Sequence, residues 1–259
     1  NQSSSTCETW RIIGTFGNKT KLIRNSSIGE YSWDNKDTST GAKSAYGKND
    51  WTDARLMKLL NQGYESETTG GSLYYNSGSG NCYSGQNNAT TACDFTSTGI
   101  KNDTTRNMIS DNTYSLLGWN NNSIYSNQIY EYERSTGSVY TGTPTSWTGK
   151  VGLAYVSDYG YAADLSKCTK QLGSYNDSTC ASNNWMKAII TNNSTNASGW
   201  LLTHYYGDSC DTWRTYWAGN AGYSGAYYAF EVTPVLYLKY RISINSGTGT
   251  SSDPYQIST

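Results

Sequence analysis

His204 is the single histidine of the chain, and the six cysteines are Cys7, Cys82, Cys93, Cys168, Cys180 and Cys210. One imidazole excludes a zinc or iron centre built from several histidines. It leaves one base for serine-hydrolase chemistry, and that base lies in WLLTHYYGDSCD, with no G-x-S-x-G elbow in the chain. Cys210 is close to His204 in sequence, so a thiol nucleophile arises only if Cys210 escapes disulfide pairing. Paired carboxylates are the remaining hydrolytic option: a glycosidase would draw on Glu131, Glu133, Asp158, Asp164, Asp208, Asp211 or Glu231. No spacing rule pairs these groups. Glu231 is the most unusual, a glutamate inside the strand-like YAFEVTPVL, where an edge charge that blocks strand pairing is the plainer role. Calcium is the one cofactor left open, through Asp208 with Asp211 or Asp158 with Asp164. There is no D-x-D-x-D-G loop, however, and turn formation is the simpler role for these aspartates. No P-loop and no G-x-G-x-x-G after a strand is present, so nucleotide binding has no support. No metal site and no catalytic residue is assigned.

The segment 204–230, HYYGDSCDTWRTYWAGNAGYSGAYYAF, is the most informative. It lacks Lys, Glu, Gln, Met, Ile, Leu, Val and Pro and is rich in Tyr, Gly, Ser, Asp, Asn, Ala, Thr and Trp. That is the vocabulary of binding loops. Tyr and Trp give large contacts at low entropy cost, and Ser, Gly and Asn adapt. Aromatic faces also stack on sugar rings. The expected ligand-binding residues are Tyr205, Tyr206, Asp208, Trp213, Tyr216, Trp217, Asn220, Tyr223, Tyr227 and Tyr228. An aromatic layer beneath the last strand is the alternative, and it suits Trp213 and Phe230 best.

The elements that hold this segment must come from 259 residues with net charge −1, 15% charged residues and a mean hydropathy of −0.68. The charged share of an ordinary soluble domain is about 25%. A near-neutral chain offers no basic face to a nucleic acid. It has no apolar run of about 18 residues to span a membrane. Its 9 Trp and 24 Tyr supply large apolar faces and argue for a folded, loop-rich domain rather than disorder. Cys82/Cys93 and Cys168/Cys180 each flank a polar loop and are expected to close it, each disulfide contributing about 3 kcal/mol. Cys7 pairs either with Cys210 or with a cysteine upstream of this sequence. Six cysteines so spaced place the chain outside the cell or at its surface. Sequons at Asn18, Asn25, Asn88, Asn102, Asn176, Asn193 and Asn196 matter only in a glycosylating host.

The predicted elements are sparse. Residues 10–16 and 21–24 read as an opening hairpin across a Gly-Asn turn, 52–61 as the best helix and 103–110 as a second, capped by Asp or Thr. Residues 151–156 and 200–203 read as strands, 184–190 as a helical turn, and 227–240 as the strongest strand, with Pro234 at a bulge or edge. This is an α+β pattern of short helices around small antiparallel sheets with long disulfide-braced loops. One domain is expected over 1–245, with 246–259 a Gly/Ser/Thr-rich tail leading out of it. The start, NQSSSTCETW, reads as the trimmed end of a longer chain whose membrane contact is an anchor absent here.

The ordered run WRIIGTF, KLIRNSSIGEYSWD, NDWTDARLMKLLNQGYES, SLYYNSGSGNCYSGQNNATTACDFTSTGI, WTGKVGLAYVSDYGYA and TPVLYLK…SGTGTSSDPY resembles a bacterial domain family of unknown function. That family is common in secreted and prepilin-like proteins of Gram-positive gut bacteria. The resemblance covers nearly the whole chain and implies the C-type-lectin-like fold of formylglycine-generating enzymes. Thr233, in EVTPVL, stands where that fold has an arginine, and the copper-binding cysteine pair has no counterpart, so the oxidase activity is not expected. The same fold displays the variable segment of retroelement-diversified proteins, whose alphabet residues 204–228 largely use, with Trp213 and Trp217 as fixed positions. The expectation is a non-enzymatic recognition or adhesion domain for a protein or glycan, with a self-assembling pilus or filament subunit and a glycosidase as alternatives.

Overall fold

The computed structural model describes residues 8–35, 46–63, 73–85, 89–100, 103–239 and 242–258. Cys7, Asn88 and Asn102 lie outside them. In chain order the elements are β1 (Trp10–Phe16), β2 (Lys19–Arg24), β3 (Glu30–Ser32), α1 (Arg55–Leu60), β4 (Ser79–Cys82), β5 (Thr91–Asp94), α2 (Asp103–Met108) and β6 (Asn112–Ser115). There follow α3 (Ser126–Glu131), β7 (Ser146–Gly149), β8 (Val151–Gly152), α4 (Val156–Tyr161), α5 (Ser178–Ser182), α6 (Lys187–Ile190) and β9 (Gly199–Trp200). The chain ends with β10 (Asp211–Thr215), β11 (Ala221–Gly225), β12 (Ala229–Glu231), β13 (Val235–Leu238), β14 (Ser243–Ser246) and β15 (Gln256–Ser258). The class is α+β, as expected.

Two sheets organise these pieces. One is antiparallel, in the order β1-β2-β13-β8, so an early and a late strand pair at its centre. The other runs β11-β10-β9-β12-β3, with β9 and β12 parallel and the other pairs antiparallel. Period-two alternation divides the buried side chains between two cores. Leu22 and Leu236 join one, with Trp33, Trp51 and Trp200. Ile23 and Val235 join the other, with Trp213, Tyr159 and Tyr175. Trp33 lies 4.8 Å from Trp51 and 5.9 Å from Trp200, ring to ring. Aromatic area stands in for the aliphatics that this composition lacks.

The structure corrects several expected elements. The run 227–240 is not one strand. It breaks into β12 and β13, which belong to different sheets, and residues 232–234 carry the chain between them. Pro234 sits in that crossing, where its carbonyl accepts from Arg24 N (2.9 Å) and its missing N–H is not needed for a ladder. The strand at 151–156 stops at Gly152. Tyr155 turns the chain into α4, and its N–H donates to Asp158 Oδ2 (2.8 Å). The helix expected at 52–61 starts only at Arg55. Asp50 Oδ1 accepts from both the N–H (3.0 Å) and the hydroxyl (2.6 Å) of Thr52 and holds a turn first. Helices α3, α4 and α5 are additional to the expected ones.

The disulfides Cys82–Cys93, across β4–β5, and Cys168–Cys180 are both present as expected. Cys210 is buried; Cys7, one of the alternatives for its pairing, lies outside the described residues. The tail read as a linker carries the β14–β15 hairpin, whose loop is held by Asp253 accepting from Thr248 N (2.9 Å). No helix among the described residues is long and apolar enough to cross a membrane.

Candidate functional site

The binding segment is built on the β10–β11 hairpin and β12. Tyr216 N donates to Asn220 O (2.8 Å) and Gly219 N to Tyr216 O (2.9 Å), closing the hairpin turn. The pairing Trp213↔Tyr223 puts both residues on one face, and Arg214↔Trp200 puts both on the other. Trp213 is 0% exposed and donates from its indole to Trp119 O (3.0 Å). Its place in the expected binding set is therefore corrected: a fully buried ring at the centre of a sheet meets no ligand.

The opposite face forms a continuous ridge. Tyr46 meets Tyr227 edge-on (5.4 Å), Tyr227 packs on Tyr228 (4.1 Å), and Tyr228 stacks on Phe230 (5.8 Å). The Arg214 guanidinium then lies between the rings of Phe230 (4.6 Å) and Tyr216 (3.5 Å). Phe230 also packs on buried Trp200 (4.6 Å), which ties the ridge to the core. Arg214 is fixed by hydrogen bonds to Ser224 Oγ (2.8 Å) and Ser198 Oγ (2.6 Å). Desolvation holds its pKa below the ordinary guanidinium value. Tyr227 is pushed up to about 12, chiefly by its hydroxyl bond to Tyr228. Tyr46 and Tyr228 remain 48% and 45% exposed. The sequence reading missed Tyr46 and Arg214; Arg214 was legible as the one cation of the segment.

The other expected binding residues lie elsewhere. Tyr205 stacks on Tyr223 (3.9 Å), while Tyr206 packs edge-on against Trp119 (5.7 Å), which itself stacks on Tyr132 (4.0 Å). Trp217 is exposed at the hairpin turn, and Asn220 contributes the backbone carbonyl already described. Asp208 is spent on its own turn, with Oδ1 accepting from Cys210 N (2.8 Å) and Asp211 N (2.7 Å). That oxygen forms the turn expected of such an aspartate. Asp208, Cys210 and Asp211 present ligand atoms within 4.8 Å of one another, but a sulfur among them does not suit calcium, which takes oxygen donors. Asp164 accepts from Ser166 N and Oγ at the surface, whereas Asp158 is buried against Lys21, so the two do different work.

Two further groups complete the picture of the expected chemistry. His204 is buried, its Nε2 accepts from Tyr140 N (2.9 Å), and burial drives its pKa down to about 4. That nitrogen is occupied by a backbone bond. Glu231 is also buried and pairs across the sheet with Glu30, not with an aspartate. Burial and the Glu231 charge raise the Glu30 pKa.

A second polar centre, not assigned as a site from sequence, lies in the interior. Lys21 (0% exposed) contacts Asp158 Oδ2 directly, and its Nζ lies over the rings of Tyr155 (4.6 Å), Phe16 (5.4 Å) and Tyr237 (5.6 Å). Glu133, also 0% exposed, accepts from Ser157 N (3.0 Å), Thr203 Oγ1 (2.6 Å), Arg134 Nη1 (2.9 Å) and the Ser157 hydroxyl. Burial pushes the Lys21 ammonium down and the Glu133 carboxyl up. Asp158 and Ser157 line a cleft of about 220 Å³ edged by Tyr130, Tyr161 and Trp185. The signal was available: in KTKLIR, Lys21 shares a strand face with Ile23.

No family model, curated protein or solved structure matches the chain.

Proposed function

We propose that this chain is a secreted or surface-displayed recognition domain of C-type-lectin-like layout, which binds a protein or glycan through the Tyr46–Tyr227–Tyr228–Phe230–Arg214–Tyr216 ridge. The observation that carries this reading is the ridge's continuity: five successive ring or guanidinium contacts, part-exposed at the outer end and anchored on Trp200 at the inner. Rigid aromatics lose little entropy on binding, and an arginine between rings offers hydrogen bonds to carboxylate or hydroxyl partners. Two disulfides support an oxidising setting. The C-type-lectin-like layout is supported by the pairing of β2 with β13. Buried Trp213 suits a fixed position in a diversified segment; exposed Trp217 does not need to be fixed.

The test is binding of the purified chain to glycan and host-protein arrays, beside sedimentation over a range of concentrations. The expected result is a monomer that binds a defined ligand class. Silent arrays with concentration-dependent oligomers would overturn the reading and turn the ridge into a subunit contact of a filament.

A further inference from the structure

We propose that Lys21 and Asp158 become joined by an intramolecular amide bond, which covalently ties strand β2 to helix α4. The geometry brings the two reacting groups together. The Lys21 Nζ is in direct contact with an Asp158 carboxyl oxygen, both residues are almost wholly removed from water, and the contact spans 137 positions of sequence. Three aromatic rings enclose the amine. Such surroundings disfavour the charged ammonium and favour the neutral, nucleophilic amine of Lys21. Tyr155 N–H donates to Asp158 Oδ2 (2.8 Å) and would polarise the carbonyl that remains in the amide.

The step balances without any oxidant. Lys21 passes one proton to the Asp158 carboxylate, giving amine and acid. The Nζ lone pair then attacks Cγ, a C–N bond forms, the C–O bond to Oδ1 breaks, and a second Nζ proton leaves with that oxygen as water. Glu133 is buried, interacts electrostatically with both partners and is the carboxyl we assign to ferry that proton. Burial shifts the Lys21 amine toward its neutral form and the Glu133 carboxyl toward its protonated form. Asp158 lines the adjacent cleft, so the released water has an exit.

The test is the intact mass of the folded chain, secreted by a non-glycosylating bacterium, then fully reduced and alkylated. The expected mass is one water below that of the fully alkylated sequence. Trypsin should then fail to cut after Lys21 and release the 20–24 peptide (TKLIR) joined to the 151–167 peptide (VGLAYVSDYGYAADLSK). Lys21→Arg, which keeps the charge and cannot form the amide, should return the full mass. Glu133→Gln should leave an uncross-linked fraction; complete cross-linking in that variant would remove Glu133 from the step. Full mass in the folded wild-type chain, with ordinary cleavage after Lys21, overturns the proposal whatever the variants do.

Discussion

The outer ridge and the buried Lys21 centre both set a cation among aromatic rings, and they use it differently. Arg214 lies between Tyr216 and Phe230 on the part-exposed face of a sheet, where two serine hydroxyls share its hydrogen-bonding capacity. Lys21 has rings on several sides and a carboxylate as its hydrogen-bond partner. A guanidinium near water keeps donors to offer a ligand. A lysine amine shut off from water must be satisfied by its buried partner, as an ion pair or through the proposed amide, so it serves the fold. Aromatic enclosure alone therefore does not mark a binding site; residual exposure decides.

The comparison breaks first at Asp158. Asp158→Ala strips Lys21 of its partner in the interior and should cost about 3–5 kcal/mol in denaturant unfolding. A cost under about 1 kcal/mol would mean that the centre is not structural. On the ridge, Arg214→Ala should weaken ligand binding by roughly 2 kcal/mol or more, as removal of a central arginine anchor does. Tyr228→Ala should do the same while changing stability by less than about 1 kcal/mol, as befits a part-exposed ring.

His204 gives a pH test of similar size. Its folded pKa of about 4 lies below the ordinary 6.5, so the unfolded chain binds the proton more readily. Its contribution is intact above pH 6.5 and is lost as the pH falls toward 4, reaching about 3 kcal/mol. Unfolding curves of wild type and His204→Gln across that window should converge as the pH drops. Parallel curves would place the acid sensitivity elsewhere. The smallest effect is expected at Glu231. Replacing it with Gln removes a like charge opposite Glu30 and should stabilise the chain by about 0.5–1 kcal/mol. The Glu30 pKa, followed by NMR, should fall.

Patterned elements were legible in the sequence. The Gly-Asn hairpin, the two local disulfides and the buried helix face of Leu56, Met57, Leu59 and Leu60 follow from turn chemistry, loop closure and periodicity. The split of 227–240 was not legible, because the run reads as one continuous strand and the tertiary partners Gly29 and Arg24 help divide β12 and β13 between sheets. Helix α4 hid behind the β-rich VGLAYV, since its start depends on Asp158 reaching back to Tyr155. The aromatic segment declared itself by composition. Which rings face out did not, since Trp213 and Arg214 are neighbours on opposite faces of β10. Asp208 was expected as a contact residue, and its Oδ1 holds its own turn.

The central claim is that the ridge, and not the neighbouring Tyr205–Tyr223 stack, recognises the ligand. It is tested most directly by array binding of three folded proteins side by side: wild type, Tyr216→Ala/Tyr228→Ala, and Tyr205→Ala/Tyr223→Ala. The account predicts a wild-type signal that falls more than about tenfold, roughly 1.4 kcal/mol, in the first variant and persists in the second. No wild-type signal, or a signal lost only in the second variant, would contradict it.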